Sequence, residues 1–592
     1  MTAKHKRPVR IANCSGFYGD RVAAATEMVE GGPIDFLTGD WLAELTMLIL
    51  SRTQAKRPGG GYARTFVTQM EQVMGSCIDR GIKVVSNAGG LDPQGCAEAV
   101  AEVADKLGLS PTIAYVSGDN LVDRLEEMYE AGERLHHFET GEPIEDPTGF
   151  ITANAYLGGW GIVEALSQGA DIVVTGRVTD AAVVAGPAAW WHQWGRDDWD
   201  ALAGAVVAGH VIECGAQTTG GNYSFFTDVA DLTRPGFPWA EVDADGSCVI
   251  GKHDNTGGEV SVGTVTSQLL YEITGPVYYG PDVNTRFDTI KLDQLGPDRV
   301  RIHGVKGEAP PETLKVAMNK IGGYRNDMTM ALTGLDIEAK AELVERAFWE
   351  MCPIDRSELS SVTTSLVRTE HEDPESNEAA TAQWRMTVKD PDERKVGRAF
   401  SNALTETALS SIPGFYGLSG GPGPGRPYGV YTPALVGADL VPAVVTILGG
   451  TPTVVESVAP HSEPVVIEPA AANAPVDVDG SQVTRAPLGL VIGTRSGDKG
   501  GNANLGVFVR DDKAWGWLVE FLNTERLRQL LPETAELRID HYVFPAIRSM
   551  NFVIHHILQE GVAASTRQDS QAKSLGEWLR ARHADIPTGL LS

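Results

Sequence analysis

The sequence predicts an α/β protein, with a largely parallel, doubly wound sheet, a mixed α+β extension and a small C-terminal α+β domain. Three observations carry this reading. Short Val- and Ile-rich apolar runs alternate with helical-period segments through the first part of the chain. Glycine-rich turns and β-type runs take over from about Gly209. A Pro- and Ala-rich stretch without usable period, Pro460 to Pro487, precedes a last β-heavy region. The expected layout is a main domain over 1–459, a linker over 460–487 and a small domain over 488–592.

The candidate strands of the first part are Val9 to Asn13, Ile34 to Thr38, Ile82 to Ser86, Thr112 to Val116 and Asp171 to Thr175. Between them run amphipathic segments that stop at Gly31-Gly32, Gly81 and Gly108, where left-handed helix caps are expected. Further along, Glu259 to Val265, Leu269 to Ile273, Arg299 to His303, Leu314 to Met318 and Ser361 to Arg368 read as β-type runs. In the last region Leu488 to Thr494, Asn504 to Val509, Leu537 to Phe544 and Asn551 to His556 read as strands, and Lys513 to Leu531 and Ser574 to Arg582 as helices.

Small and polar residues succeed each early strand: NCSGFYGDR from Asn13, TGD from Thr38, SNAGG from Ser86, SGDN from Ser117 and TGRVTD from Thr175. Ligands of open parallel sheets bind outside the carboxyl ends of the strands, so these loops are expected to meet at one crevice. Taken singly, each loop is also what a strand-to-helix turn and an N-cap need.

Asp plus Glu outnumber Lys plus Arg by 78 to 49, a formal charge of −29. Such a surface repels phosphate backbones and anionic lipid, and no basic patch offsets it, so no nucleic-acid or membrane partner is expected. Hydrophobic residues at 42% and charged residues at 21% are ordinary globular usage. The six cysteines are scattered with no CxxC pair, which suits neither a disulfide framework nor a zinc ribbon. The basic MTAKHKRPVR start is not followed by a secretory apolar run, and a cytoplasmic location is expected.

P-loop, HExxH, GxSxG and EF-hand patterns are absent, and the glycine-rich GGLDPQG and GPGPG lack the context of a dinucleotide loop, so neither NAD nor ATP is indicated. In HVIECGAQTTGGN, one helical turn would bring together His210, Glu213 and Cys214, either as acid/base groups or as a metal set. GKHDNTGGE sets His253 and Asp254 before a glycine pair, as a carbonyl-polarising loop or as a plain β-turn. TRSGDKGGNAN combines Arg495, Ser496, Gly497, Lys499 and Gly500 into the best anion-binding candidate, with a tight hairpin as the alternative.

SGFYGDR, TGDWLAE, SNAGGLDP, TGRVTDAA, IECGAQTTGGN, HDNTGGEV with TVTSQLLYEI and PDV, and TRSGDKGGNANLGV together make the chain resemble the acyclic terpene utilisation AtuA family over nearly its whole length. The resemblance implies a large α/β domain joined to a small ferredoxin-like domain, and a place in the breakdown of acyclic terpenoids through branched acyl-CoA thioesters. One departure lies near the end, where Thr566 and Ala572 stand in place of the expected Leu and Gly.

The expected function is therefore lyase- or hydratase-type acid/base chemistry on a branched acyl-CoA or related carboxylate, by a homo-oligomer needing no redox cofactor, with the CoA moiety of the substrate as the one group to be held. Asp20, Asp180, Glu213 or His253 would carry protons, with Asp254 beside them. Arg21 and Arg177 would clamp a carboxylate, while Asn87 and the glycine amides of SNAGG and TTGG would line the reacting oxygen. Arg495, Ser496, Gly497, Lys499 and Gly500 would take a CoA phosphate. A non-enzymatic assembly subunit and a metal-dependent hydrolase using His210, Glu213 and Cys214 are the rival readings.

Overall fold

Helices cover both faces of a central sheet, and the computed structural model that shows them describes residues 7–57, 59–418, 423–457 and 482–591. Five strands lie parallel at its centre, in the order Val9–Asn13, Phe36–Gly39, Lys83–Ser86, Ile172–Thr175, Ile113–Ser117. All five were legible as apolar runs. The sheet as a whole is mixed, which corrects the expected largely parallel one. Pro238–Val242, Cys248–Lys252, Arg299–His303 and Lys291–Gly296 extend one edge antiparallel, and Ala443–Ile447 with Thr453–Val455 extends the other. Hairpin partners need only tight turns, so the chain widens the sheet without further crossover helices.

Alternation along each strand divides the core. Ile11, Phe36, Val85, Val116 and Val173 face the helices Trp160–Ser167, Ala182–His192 and Trp199–Ile212. Ala12, Leu37, Val84, Ile113 and Val174 face Ala24–Gly31, Arg64–Arg80 and Pro93–Leu107. The last of these shows why its ends fall where they do. Asp92 accepts the Gly95 amide at 2.8 Å, Pro93 occupies the first turn, and Gly108 closes the helix at φ 69°.

The Trp199–Ile212 helix is buried on every side, as its near-continuous apolar sequence requires. Gly209 lets it approach the loop after the Ile172–Thr175 strand, because a Cβ there would sit 2.7 Å from Ala181 Cα. That contact brings the end of the helix to the carboxyl ends of the parallel strands.

Two compact units are distinguished, one holding 1–319, 431–562 and 569–592, the other 320–430 and 563–568. Within the first, the C-terminal region forms an antiparallel sheet in the order Gly493–Lys499, Asn502–Phe508, Ser549–Ile554, Ile539–Phe544. It has its own core around Leu505, Leu518, Phe552 and Leu579, but Phe508, Phe544 and Ile547 join the core of the main sheet. The second unit pairs Ser361–Val367 with Thr381–Asp390, and Thr381–Asp390 with Tyr324 to Thr333 of the long strand Thr313–Thr333. Phe348 and Phe400, 5.1 Å apart, lock its helices Ile337–Met351 and Arg398–Glu406 over that sheet.

Several local readings change. Glu259 to Val265 and Leu269 to Ile273 are not strands. Ser261 caps a helix, Val262–Leu269, by accepting the Thr264 amide, and turns come after it. Lys513 to Leu531 is two helices, Asp512–Phe521 and Thr524–Leu530, because Asn523 caps the second. The strand expected from Leu488 starts at Gly493 after a short turn of 3-10 helix. Most of the expected linker lies outside the described residues, and its end, Val483–Pro487, is a strand paired with His583–Pro587. All six cysteines are free. Among the described residues no helix is long and apolar enough to cross a membrane.

Candidate active site

The loops after the parallel strands do converge. Asp40 follows the second strand and is 6% exposed. Its carboxyl accepts the Leu42 amide at 2.9 Å and the side-chain amide of Asn87, which arrives from the third strand. Arg177, 2% exposed, comes from the loop after Ile172–Thr175. Its backbone amide donates to Asp119 Oδ2 at 3.0 Å, so the SGDN loop holds the TGRVTD loop. Its guanidinium lies 4.1 Å from the centre of the Tyr156 ring, donates from Nη1 to the Leu42 carbonyl at 2.8 Å, and meets Asp180 Oδ1 at 2.9 Å.

Glu213 caps the buried helix, 5% exposed, with Oε1 3.6 Å from His210 Nδ1. Its carbonyl accepts the Asn13 side-chain amide at 3.1 Å, which ties this helix end to the first strand. The His210 ring packs against the stacked Tyr278 and Phe287 rings, 5.3 Å from each. Asp40 and Asp180 therefore both act on Arg177, and both act in turn on Glu213.

Burial, then repulsion from Asp180, pushes the Asp40 carboxyl up to about 8. Glu213 is raised well above the carboxylate range, first by burial and then by Asp180 and Asp40. His210 is lowered to about 4 by burial and by Lys499, so its ring is neutral. Burial opposes the charge of Arg177, but Asp180, Tyr156 and Asp40 more than offset it and raise its proton affinity. Five buried atoms here form no well-aligned hydrogen bond: Arg177 Nε, Asp180 Oδ1, Glu213 Oε2 and both ring nitrogens of His210. Buried polar groups are normally satisfied, so such a concentration sets this region apart from the rest of the core.

A second group, partly exposed, adjoins the first. Glu44 Oε1 accepts from Lys315 Nζ at 2.8 Å and from the Tyr431 hydroxyl at 2.9 Å. Burial works against the Glu44 charge, but Lys315 and Lys499 bring its carboxyl down to about 2. Lys315 also lies 4.9 Å from the centre of the Tyr156 ring that carries Arg177. From the C-terminal sheet, Lys499 adds its charge to Glu44, Glu213 and His210, and Asp498, raised to about 7 by burial and Glu272, stands near Lys573.

Of the residues expected from sequence, Asn87, Arg177, Asp180, Glu213 and Lys499 come together, as does His210. The others have different work. Asp20 accepts the Gly16 and Arg21 amides of its own turn. Arg21 pairs with Glu27 and the Pro235 carbonyl over the Phe237 ring. His253 bonds the Met28 carbonyl at 2.9 Å and fills the space beside Gly31 and Gly32, while Asp254 is exposed in the next turn. Of the glycines expected to present amides to an oxyanion, Gly90, Gly220 and Gly221 donate theirs within their own turns.

The SGDKGG segment forms the alternative hairpin. Ser496, Gly497 and Lys499 lie in a strand that turns at Gly500 and Gly501. Arg495 donates to Gln217 and stacks on Tyr271, Ser496 Oγ accepts the Gly576 amide at 3.0 Å, and Gly497 admits the Tyr271 ring. Among the described residues no three His, Cys, Asp or Glu side chains converge in a metal-holding group, so His210, Glu213 and Cys214 do not form the expected set. A hollow of about 720 Å³ lined by Asp200, Arg301, His303 and Lys306 lies apart from these residues, and Lys306 is already paired with Asp200 at 2.6 Å.

Asp40, Glu44, Tyr156, Glu272, Tyr278, Lys315, Tyr431 and Asp498 were not singled out from sequence. Asp40 had the same kind of signal as Asp180, a carboxylate in the loop after a parallel strand; Lys315 and Tyr431 had none.

A family model described as acyclic terpene utilisation family protein AtuA matches residues 9–447. A second, the AtuA ferredoxin-like domain, matches residues 486–585 and agrees with the C-terminal antiparallel sheet and its helices. No curated protein matches the chain.

Proposed function

The chain belongs to the acyclic terpene utilisation AtuA family, which implies a part in acyclic terpene utilisation, and from that premise we propose that it is an acid/base enzyme acting on a branched acyl-CoA thioester or related carboxylate. The observation that carries the reading is that Asp180 pairs with Arg177 and, together with Asp40, acts on both Arg177 and Glu213. Asp40 is pushed up to about 8 and Glu213 well above the carboxylate range by burial, and a carboxyl with raised proton affinity is what general acid catalysis requires.

In a hydration step, one carboxyl gives its proton to the α-carbon of an unsaturated acyl group as the oxygen of water bonds to the β-carbon, and the proton released by that water passes to a carboxylate or to solvent, from which the carboxyl is restored. Arg177, with its buried Nε unpartnered, supplies a donor toward a substrate carboxylate or the developing enolate oxygen. The Tyr156, Tyr278 and Phe287 rings offer apolar surface for a branched chain. Lys315 and Lys499 add positive charge at the partly exposed side, where the thioester would enter.

The test is incubation with an α,β-unsaturated branched acyl-CoA in D2O, followed by mass spectrometry. Deuterium enters the α-position with the wild-type protein, and Asp40→Asn with Glu213→Gln slows it by at least about 100-fold. Absence of exchange and of addition across a panel of branched acyl-CoAs, or full activity in the double variant, would sink the proposal.

A further inference from the structure

Glu272 has φ at 57°, in the left-handed region that side chains other than Gly, Asn and Asp avoid. Its backbone is held there from the C-terminal sheet. The Glu272 amide donates to Asn504 Oδ1 at 2.9 Å, and Asn504 Nδ2 donates to the Leu270 carbonyl at 2.6 Å and to Asn551 Oδ1 at 2.9 Å. Asn551 Nδ2 in turn donates to the Ile273 carbonyl at 3.1 Å. Both asparagines are fully buried, which a protein interior accepts only because their amide groups are bonded. Residues 270–273 are thus clamped at three backbone points.

A glycine would take the same backbone without strain. The side chain that occupies the position is a carboxylate, 34% exposed, with Oε1 3.7 Å from Lys573 Nζ. Its charge acts on Glu213, His210, Tyr278 and Asp498, the groups that meet there from the buried helix, the strand Val277–Tyr278 and the C-terminal hairpin. Backbone held against its preference beside a charge cluster is the pattern by which functional sites fix a side chain.

We propose that Glu272 is the catalytic base of this site, held in its left-handed backbone by Asn504 and Asn551 as positioning residues. The inference rests on the acid/base reading above and assigns its missing half. For addition of water to an unsaturated acyl group, the Glu272 carboxylate takes a proton from water as its oxygen bonds to the β-carbon. Neutral Glu213 gives a proton to the α-carbon. The elements of water are added across the double bond, and the proton gained by Glu272 returns to Glu213 through solvent.

The experiment measures turnover of the branched acyl-CoA and the melting temperature of full-length variants. Glu272→Gln lowers turnover by at least about 100-fold with little change in melting temperature. Glu272→Gly abolishes turnover yet raises the melting temperature by about 1–2 °C, because the strain is relieved. Asn504→Ala slows turnover in the wild-type background but adds no further loss to Glu272→Gln, a coupling that general damage to the fold would not produce. Full turnover in Glu272→Gln, or a lowered melting temperature in Glu272→Gly, overturns the inference. If the wild-type protein turns over no acyl-CoA, the functional reading fails by itself. The melting temperature then decides Glu272, a rise supporting a side chain kept at a cost in stability and a fall rejecting it.

Discussion

Asn87 donates its side-chain amide to the Asp40 carboxyl and accepts the Trp41 backbone amide on its own oxygen at 2.8 Å. Each buried polar group at the ends of two adjacent parallel strands is thereby oriented by the other. Burial, then Asp180, raises the proton affinity of Asp40, while Arg177 and the Asn87 and Leu42 hydrogen bonds pull it back in part.

Stability should report that proton. Asp40 holds it up to about 8 in the fold, against about 4 in an unfolded chain. The stability gained from proton binding is complete below about pH 4 and is lost as pH rises through 8. Urea titrations between pH 5 and 9 should show the wild-type protein weakening with pH and Asp40→Asn weakening less, with the variant the more stable of the two above pH 8.

Glu44 has the opposite sign. Its carboxyl is held down to about 2 by Lys315 and Lys499 despite burial, so its contribution is present above the unfolded value of about 4.3 and is lost as pH falls through 2. At pH 7, Glu44→Gln should cost about 1–2 kcal/mol by replacing the charged acceptor of Lys315 and the Tyr431 hydroxyl with a neutral one. Chemical denaturation at pH 7 and at pH 3 should show the gap between the two proteins shrinking at the lower pH.

Gly16 should not tolerate a methyl group. A Cβ there would fall 2.6 Å from the Cys214 carbonyl carbon, which is main chain and cannot swing away. Gly16→Ala should destabilise the fold by about 1–3 kcal/mol and disturb the adjoining Glu213, read as a lowered guanidinium midpoint together with weaker binding of any acyl-CoA that shifts the wild-type melting temperature.

Ala572 is buried with φ at 52°, at the position where the family resemblance calls for glycine. Relief of left-handed strain outweighs the added freedom of the unfolded chain, so Ala572→Gly should stabilise the protein by about 0.5 kcal/mol. A raised urea midpoint with an unchanged slope would agree; a lowered midpoint would show that the methyl packing matters more.

The parts legible in the sequence are those that local chemistry determines. Apolar runs closed by Gly caps located the five parallel strands, and the polar residues after them located Asn87, Arg177 and Asp180. The Gly209 contact that brings Glu213 to Asp180 depends on helix packing, which periodicity does not reveal. Lys315 reads as an isolated charge in a strand until it meets Glu44, 271 positions away, and Tyr431 lies 387 positions from the same carboxyl. The helix at Val262–Leu269 was hidden because Val and Thr suit either period, and only the Ser261 cap gives it away. Conversely, Asp20, Arg21 and His253 looked chemical because turns and helix ends draw on the same polar residues as active sites.

The apolar side chains that the C-terminal sheet lends to the main core, Phe508, Phe544 and Ile547, bear on how this part of the molecule comes apart. Heat should not release the last hundred or so residues as an intact body while the parallel sheet stays whole. Scanning calorimetry should place their loss in one shared endotherm, and residues 482–591 expressed alone should present those three side chains to water and self-associate.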